Sequence, residues 1–340
     1  MKRLRVLVLV HEDLVPPEKV PVGQDLDDVS WKTEYNVREG LVEAGHEVSL
    51  LGVRDDTHVI RQTIQSFSPH IIFNLLEEFA GQATFDQHVV SYLEMLGVSY
   101  TGCNPRGLII ARSKDLAKKL MRFHRIPTPD FLVFSKSGPH HLPKKLQYPL
   151  FVKSLTEEAS MGITQDSVVW NEANLRERIS YFSEKVDSDV IVESYIDGRE
   201  FYVGVIGNKR LQVFPPWELT FKNTSERVPK VATRRVKWDS RYRKKFGIDT
   251  GPAQGLNQSL LIRMQKVAKR TYSALGLSGY ARIDMRMDAE GNIYVIEANP
   301  NPDIGNGEDF AASAVAYGLS YTMLIDKILS LGMTWKPVGT

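Results

Sequence analysis

Apolar positions in the first hundred residues fall into short runs separated by amphipathic stretches. Arg5 to Val10 (RVLVLV) is almost continuously β-branched and aliphatic, the pattern of a strand buried on both faces of a parallel sheet. Glu34 to Ala44 follows as a helix, with Tyr35, Val37, Leu41 and Val42 apolar and Gly45 just past its end as a C-cap. His46 to Leu51 reads as a second strand, Val59 to Phe67 as a second helix and His70 to Leu75 as a third strand. Strands separated by helices require crossovers on a mostly parallel sheet. The pattern therefore predicts a small doubly wound α/β domain over residues 1–112, with ligands at the carboxyl ends of its strands.

The texture changes at Ser113. A lysine-rich helix, Ser113 to His124, is stopped by Pro127 and Pro129. Strand candidates follow at Tyr148 to Lys153, Ser167 to Trp170 and Asp189 to Ser194, with a helix from Asn171 to Val186 capped by Asn171 or Asn174. Further short strands are expected at Glu200 to Val205, Lys209 to Phe214, Arg282 to Met287 and Asn292 to Glu297. Asp288-Ala289-Glu290-Gly291 joins the last two as a hairpin turn with glycine at the left-handed position. Gln258 to Leu275 and Phe310 to Leu331 are long helices. This half reads as α+β with a mixed or antiparallel sheet.

Composition bounds the rest. A chain of 340 residues with 42% hydrophobic and 25% charged positions has the ordinary globular mix and room for about two domains. Its 43 basic and 41 acidic residues leave a net charge of +2, which gives no global field for nucleic acid or an anionic membrane, so any anion site must be local. Cys103 is the single cysteine; it excludes an internal disulfide and fits a reducing compartment. The apolar run Leu4 to Val10, broken by Arg5, is too short for a membrane span or secretory signal. The expectation is a cytoplasmic protein.

The densest chemical signal is Ala281 to Asn301, ARIDMRMDAEGNIYVIEANPN. Asp284 and Glu297 lie on consecutive strands joined by a tight turn, and Asn299 lies two residues past Glu297, so all three can share one face. Two carboxylates and an amide oxygen form a hard, oxygen-only set suited to Mg²⁺ bridging phosphates. The plainer alternative is a pair of solvated edge-strand charges. The apolar flanks Ile283, Met285, Val295 and Ile296 weigh against it, because unpaired charge beside a core is costly.

The order G-x-x-R-I-D, hairpin, E-A-N-P resembles the metal signature of the ATP-grasp superfamily, and more narrowly the D-alanine:D-alanine ligase-like carboxylate-amine ligases. The resemblance implies a two-lobed ATP-grasp fold after the N-terminal domain, with a central lobe at 113–192 and a C-terminal lobe carrying the metal site at 193–340. It implies that Asp284, Glu297 and Asn299 hold two Mg²⁺ ions, for which Mn²⁺ could substitute, on the phosphates of ATP. Arg282 would face the oxyanion of a tetrahedral intermediate, and Ile296 would line the nucleotide. Other pieces follow in family order. ESYIDGRE resembles the hinge that reads adenine around Glu193, Ser194, Tyr195 and Ile196, with Glu200 accepting the ribose hydroxyls; by itself it reads more readily as strand, turn and strand. Lys114 and Lys153 match two phosphate-contacting lysines. Ser154 to Thr164 aligns with a small-residue loop over the phosphates, in which Ser160 and Gly162 allow close approach; Glu157 and Glu158 depart from that pattern, and a plain surface loop is the alternative.

Lys222 to Lys245 concentrates basic residues where the family places a mobile lid, and Lys237-Trp238 falls at a Lys-aromatic pair of the ligases. A solvated loop and a polyanion patch are the other readings, the last ranked lowest because few aromatics are interleaved. The resemblance runs from about Asn74 to Met333 and weakens before it. His11 to Pro17 lacks the glycines and serine of the ligases' H-G-G-x-S-x-E segment, Leu76 to Gly81 replaces H-G-x-x-G-E-D, and Pro302-Asp303-Ile304-Gly305 followed by Asn306 to Asp309 replaces P-G-M-T and a Ser-Leu pair. Acids Glu77, Glu78, Asp303, Glu308 and Asp309 in these segments favour a cationic or amine-bearing substrate. The expected activity is ATP-dependent joining of a small-molecule carboxylate to an amine, through an acyl phosphate and on amino-acid-like substrates. Neither nucleic acid nor membrane is expected as a partner, and a homodimer is compatible. D-alanine:D-alanine ligation is the nearest alternative, and a non-catalytic ATP-binding protein on this scaffold is the alternative from another class.

Overall fold

In the computed structural model, the described residues are 3–135, 146–155, 162–186, 188–223, 229–233, 235–236 and 239–337. The N-terminal unit alternates β1 (Arg5–His11), α1 (Lys32–Glu43), β2 (Glu47–Val53), α2 (Thr57–Phe67) and β3 (Ile71–Asn74). Its three strands are parallel in the order β2-β1-β3. Val6 to Val10 are fully buried, as their unbroken apolar run requires of a central strand covered on both faces. Gly45 has a φ of +85° just past α1, the left-handed exit expected of a helix C-terminus. Helices α3 (Asp86–Met95), α4 (Pro105–Arg112) and α5 (Lys114–Phe123) lead out of this unit.

A four-stranded antiparallel sheet follows, in the order β4-β7-β5-β6, from β4 (Phe131–Phe134), β5 (Leu150–Ser154), β6 (Val168–Val169) and β7 (Val190–Ser194). Helix α6 (Glu172–Tyr181) covers it, and of the two candidate caps the structure uses Asn171, whose side chain accepts from the Asn174 N–H at 2.9 Å. This sheet has its own core around Leu150, Val152, Ile179, Phe182 and Val192.

The third sheet has six strands: β8 (Arg199–Ile206), β9 (Gln212–Val213), β10 (Trp217–Phe221), β11 (Ile248–Pro252), β12 (Tyr280–Met287) and β13 (Ile293–Pro300). All its pairings are antiparallel, and β12 lies between β8 and β13. Helices α7 (Ser240–Phe246) and α8 (Gln258–Ala274) precede β12. The single helix expected over 310–331 is two, α9 (Asp309–Tyr317) and α10 (Tyr321–Thr334). Gly318 takes a φ of +103° after α9, and the Ser320 hydroxyl accepts from the Met323 N–H at 3.2 Å to start α10. A C-cap glycine and an N-cap serine therefore break an otherwise continuous apolar periodicity.

The N-terminal unit and the six-stranded sheet share one core, in which Leu7, Leu9 and Ile72 join Val203, Ile283 and Val295. A tight polar seam fixes their relation. The Cys103 N–H donates to Asn301 Oδ1 at 2.8 Å and the Asn104 N–H to Ser278 Oγ at 2.9 Å. Gly279, at φ +69°, sits so close to this seam that a Cβ would lie 2.5 Å from the Gly102 carbonyl oxygen. Gly279→Ala should lower stability by about 2 kcal/mol or more, from the left-handed backbone and the clash together. Urea unfolding would read this as a lower midpoint, and an unchanged midpoint would contradict the close approach.

Candidate active site

Antiparallel pairing dictates which side chains meet. The register sets Asp284 opposite Glu297 and Arg282 opposite Asn299 on β13, and Asp284 opposite Tyr202 on β8. Residues two apart share a face, so Arg282, Asp284, Glu297, Asn299, Glu200 and Tyr202 form one polar surface on the middle of the sheet. Asp284 is only 4% exposed. Arg282 grips it with two bonds, Nε to Oδ1 at 2.7 Å and Nη2 to Oδ2 at 2.9 Å, and Asn299 Nδ2 donates to Oδ2 at 3.0 Å. Burial works against the Arg282 charge, but the carboxylate beside it more than compensates and holds the guanidinium pKa above its ordinary value. The guanidinium also lies 4.6 Å from the Tyr202 ring centroid. A bulge follows: Asp284 pairs with Glu297 but Met285 pairs with Val295, which leaves Ile296 as the extra residue on β13.

Facing this surface is a buried cluster from the four-stranded unit and α5. Glu193, on β7 and 2% exposed, lies between Lys118 on α5 at 3.2 Å and Lys153 on β5 at 3.3 Å; the two lysines are 1% and 3% exposed. Burial lowers the Lys118 pKa to about 8 despite Glu193. Burial opposes charge on Lys153 too, yet Glu193, Glu297 and Asp284 together raise its pKa above the ordinary lysine value. The charges of the hairpin acids therefore reach Lys153. Lys118 Nζ donates to Thr128 Oγ1 at 3.0 Å, and that hydroxyl donates to the Val295 carbonyl at 3.0 Å, tying α5 to β13. The sequence reading selected Lys114 and Lys153 but missed Lys118, which lies one turn after Lys114 on the same helix face. Lys114 is half-buried at the start of α5.

The hinge residues follow β7. The Ser194 N–H donates to the Asp130 carbonyl at 2.8 Å and the Tyr195 N–H to the Pro149 carbonyl at 3.1 Å, so both are used inside the fold. Glu200 Oε1 accepts from the Tyr202 hydroxyl at 3.1 Å, and Glu200 Oε2 lies 3.7 Å from Arg286 Nε. Arg286, also absent from the sequence candidates, is 6% exposed and sits 5.1 Å from the Tyr195 ring centroid. A cleft of about 560 Å³ opens beside Ile196, Asp197, Met287 and Glu290. It does not reach Asp284, Glu297 or Lys153, so it is not where the polar surfaces face each other. Gly162 has a φ of +71°, its carbonyl accepts from Arg178, and a Cβ would lie 2.8 Å from the Phe182 ring; these demands of packing require glycine by themselves. Ser160 and Lys237 lie outside the described residues.

The acids expected to border the substrate divide in the structure. Glu308 pairs with Lys32 at 2.9 Å, and Glu78 lies 3.4 Å from His11 Nε2. The charge of Asp309 reaches Arg282 and Tyr202. Only Glu77 and Asp303 act on the same buried group, Glu34 of α1.

The geometry can now be set beside known proteins. The family model described as "D-ala D-ala ligase C-terminus" matches residues 120–330. The uncharacterized protein y4sG of Sinorhizobium fredii is 30% identical over 325 residues, covering 93% of this chain and 89% of that protein. The D-alanine--D-alanine ligase of Carboxydothermus hydrogenoformans is 27% identical over 314 residues, 90% of this chain and 94% of that one. The ATP-complexed crystal structure of D-alanine--D-alanine ligase from Bacillus anthracis superposes with a TM-score of 0.74 at 23% identity over 97% of each chain. The chain belongs to the D-alanine:D-alanine ligase-like family of ATP-grasp carboxylate-amine ligases. Among the described residues no helix is long and apolar enough to cross a membrane.

The buried cluster generates a prediction. Glu193→Gln removes the carboxylate nearest two buried ammonium groups, and breaking such a pairing costs about 3 to 5 kcal/mol. The loss should be largest at pH 7 and shrink by pH 10. Lys118, whose folded pKa is depressed, sheds its proton before the unfolded chain does, so its share of the loss fades as pH rises. Urea midpoints at the two pH values check this, and equal losses would contradict it.

Proposed function

We propose that the protein joins a carboxylate to an amine at the expense of ATP, with nucleotide between the four-stranded and six-stranded sheets. One observation carries this reading: the acids Asp284 and Glu297, opposite each other on β12 and β13, both contribute to the field that favours charge on the buried Lys153 of the other sheet. A polyphosphate chelated by metal is the ligand that satisfies acids on one wall and lysines on the other. Asp284, Glu297 and the amide oxygen of Asn299 offer only hard oxygen donors, so they fit Mg²⁺, with Mn²⁺ as a substitute; Asn299 presents its amide nitrogen to Asp284 here, and ligation requires that amide to turn. Bound there, Mg²⁺ would neutralise the charge that develops on transferring phosphoryl oxygens.

The chain's own residues supply the rest. Lys153 and Lys114 attract phosphate oxygens, and Lys118 with Glu193 sets the field around Lys153. Glu200, oriented by Tyr202 and Arg286, accepts the ribose hydroxyls. With two hinge N–H groups committed to the fold, adenine is read by the remaining main-chain groups around Glu193 and Ile196, with Ile296 against the nucleotide. Ser160 and Gly162 flank the phosphate loop, and Lys237 of the lid completes the cationic surround. In the first step a substrate carboxylate oxygen attacks the γ-phosphorus and ADP leaves. In the second an amine nitrogen attacks the acyl carbon, loses its proton, and phosphate leaves. Arg282 would face the oxyanion of that second step, and its two hydrogen bonds to Asp284 already hold the guanidinium in place.

The curated relatives' name gives D-alanine pairing as the second reading. The segments that differ, His11 to Pro17 and Pro302 to Asp309, border the substrate and argue for another amine or acid. A non-catalytic role is disfavoured by the presence together of Asp284, Glu297, Asn299 and Arg282.

A screen of amino-acid pairs for ADP and phosphate release tests the reaction, and no ATP turnover with any pair would count against it. Glu297→Gln should cut turnover by about a thousandfold or more while leaving the melting temperature near wild type. Wild-type turnover in a folded Glu297→Gln protein would remove that ligand. Glu200→Ala should raise the KM for ATP by a factor corresponding to about 1 to 3 kcal/mol, the range of a charge-assisted hydrogen bond; an unchanged KM would detach Glu200 from ribose.

A further inference from the structure

Arg286 brings a buried charge to a place where three segments of the chain meet. It lies on β12, two residues past Asp284 on the same face, and is 6% exposed. Its Nη2 donates to the Lys230 carbonyl at 2.6 Å and to the Gly198 carbonyl at 3.2 Å, and the guanidinium lies 5.1 Å from the Tyr195 ring centroid. Lys230 belongs to the basic segment Lys222 to Lys245, and Gly198 to the turn between β7 and β8. That turn is pressed onto β12 beside Arg286: Gly198 has a φ of +139°, and a Cβ there would strike the Met287 carbonyl oxygen. Main-chain oxygens thus fix the guanidinium and leave one donor over. Nε is buried without a hydrogen-bond partner, 3.7 Å from Glu200 Oε2. Cross-strand register explains the approach, since Glu200 of β8 stands opposite Arg286. The other Glu200 oxygen accepts from the Tyr202 hydroxyl at 3.1 Å. One oxygen of this acid is therefore gripped, and the other stops about 1 Å short of a charge-assisted hydrogen bond to an unpartnered donor.

We propose that Arg286 is a positioning residue for the nucleotide: when Glu200 takes up a ribose hydroxyl, Oε2 docks on Arg286 Nε, and the same guanidinium carries that event to the main chain at Lys230. The proposal rests on Glu200 as the ribose acceptor and goes beyond it by assigning ribose selectivity and the placement of the basic segment to one side chain. A carboxylate oxygen has two lone-pair sites, so Oε2 can accept from Nε and from a ribose hydroxyl together. With one oxygen loose the carboxylate must be ordered at the moment of binding; with both held it is ordered in advance. A purely structural Arg286 would weaken every nucleotide alike when replaced. An Arg286 that acts through Glu200 is felt only by nucleotides that carry the hydroxyl.

The test is calorimetric binding of ATP, 2′-deoxy-ATP and 3′-deoxy-ATP, with Mg²⁺ and without carboxylate or amine substrate, to the full-length protein. Wild type should bind ATP about tenfold or more tighter than the weaker deoxy analogue, the size of a hydrogen bond to a charged group. Arg286→Met should shrink that preference to about threefold or less while binding the same analogue within about threefold of wild type, and Arg286→Lys, which keeps the charge but not the fork, should fall between. Tryptic cleavage after Lys230, whose carbonyl belongs to the scissile bond, gives a second readout. At saturating nucleotide the wild-type cleavage should be about fivefold slower with ATP than with that analogue, and in Arg286→Met the two rates should be equal. An Arg286→Met protein that keeps the full preference, or that loses ATP and analogue alike, would overturn the proposal; if that variant does not fold, Arg286→Lys is read by the same ratios. Glu200→Ala separates the two readings. A preference lost in Glu200→Ala but intact in Arg286→Met rejects the role of Arg286 alone, whereas no preference in wild type rejects ribose reading by Glu200 and this proposal with it. Binding is read without turnover, so neither result depends on the ligase reaction.

Discussion

The site depends on one buried ion pair. Asp284 stands on β12, an internal strand of the six-stranded sheet, and is 4% exposed, where an uncompensated carboxylate would be strongly disfavoured. Arg282, two residues earlier on the same face, supplies two hydrogen bonds and the opposite charge. That pairing allows a sheet interior to carry an acid, and antiparallel register then brings Glu297 and Asn299 to the same place. Charge on one wall invites charge on the other. Lys153 is fully inside the protein yet stays protonated because Glu193, Glu297 and Asp284 lie around it.

The fold is arranged so that these two walls face each other while belonging to different units. The hairpin shares its core with the N-terminal unit, locked by Gly102, Gly279 and Asn301, whereas Lys153 and Glu193 sit on a sheet with a core of its own. A bulge between Asp284 and Met285 shifts the pairing after the acids. Arg286 of β12 then meets Glu200 of β8, which links the hairpin to the segment that follows β7.

Much of this was legible in the sequence because the signals are local. The unbroken run Arg5 to Val10 identified a central parallel strand, and Asp288 to Gly291 identified the hairpin turn whose φ of +81° at Gly291 needs glycine. Asp284, Glu297 and Asn299 were visible because their spacing converts directly into a shared face. Groups whose meaning depends on distant partners were not. Lys118 lies in a helix full of lysines, and only burial against Glu193 distinguishes it from its solvated neighbours. Glu34 sits among ordinary polar helix residues, and only its burial and the charges of Glu77 and Asp303 distinguish it. Glu308 looked like part of an acidic excess until Lys32, far away in the chain, closed on it. The break at Gly318 was hidden because apolar periodicity continues across it.

The central claim is that this gap activates a carboxylate with ATP before any amine attacks. Positional isotope exchange addresses it directly, with ATP carrying ¹⁸O in the β–γ bridge, the acid substrate present and the amine withheld. The account predicts that the label scrambles into the non-bridging β positions only when the acid is present, because reversible acyl phosphate formation frees the ADP β-phosphate to rotate. An acid that supports amide formation on addition of the amine, yet gives no scrambling without it, would contradict the account.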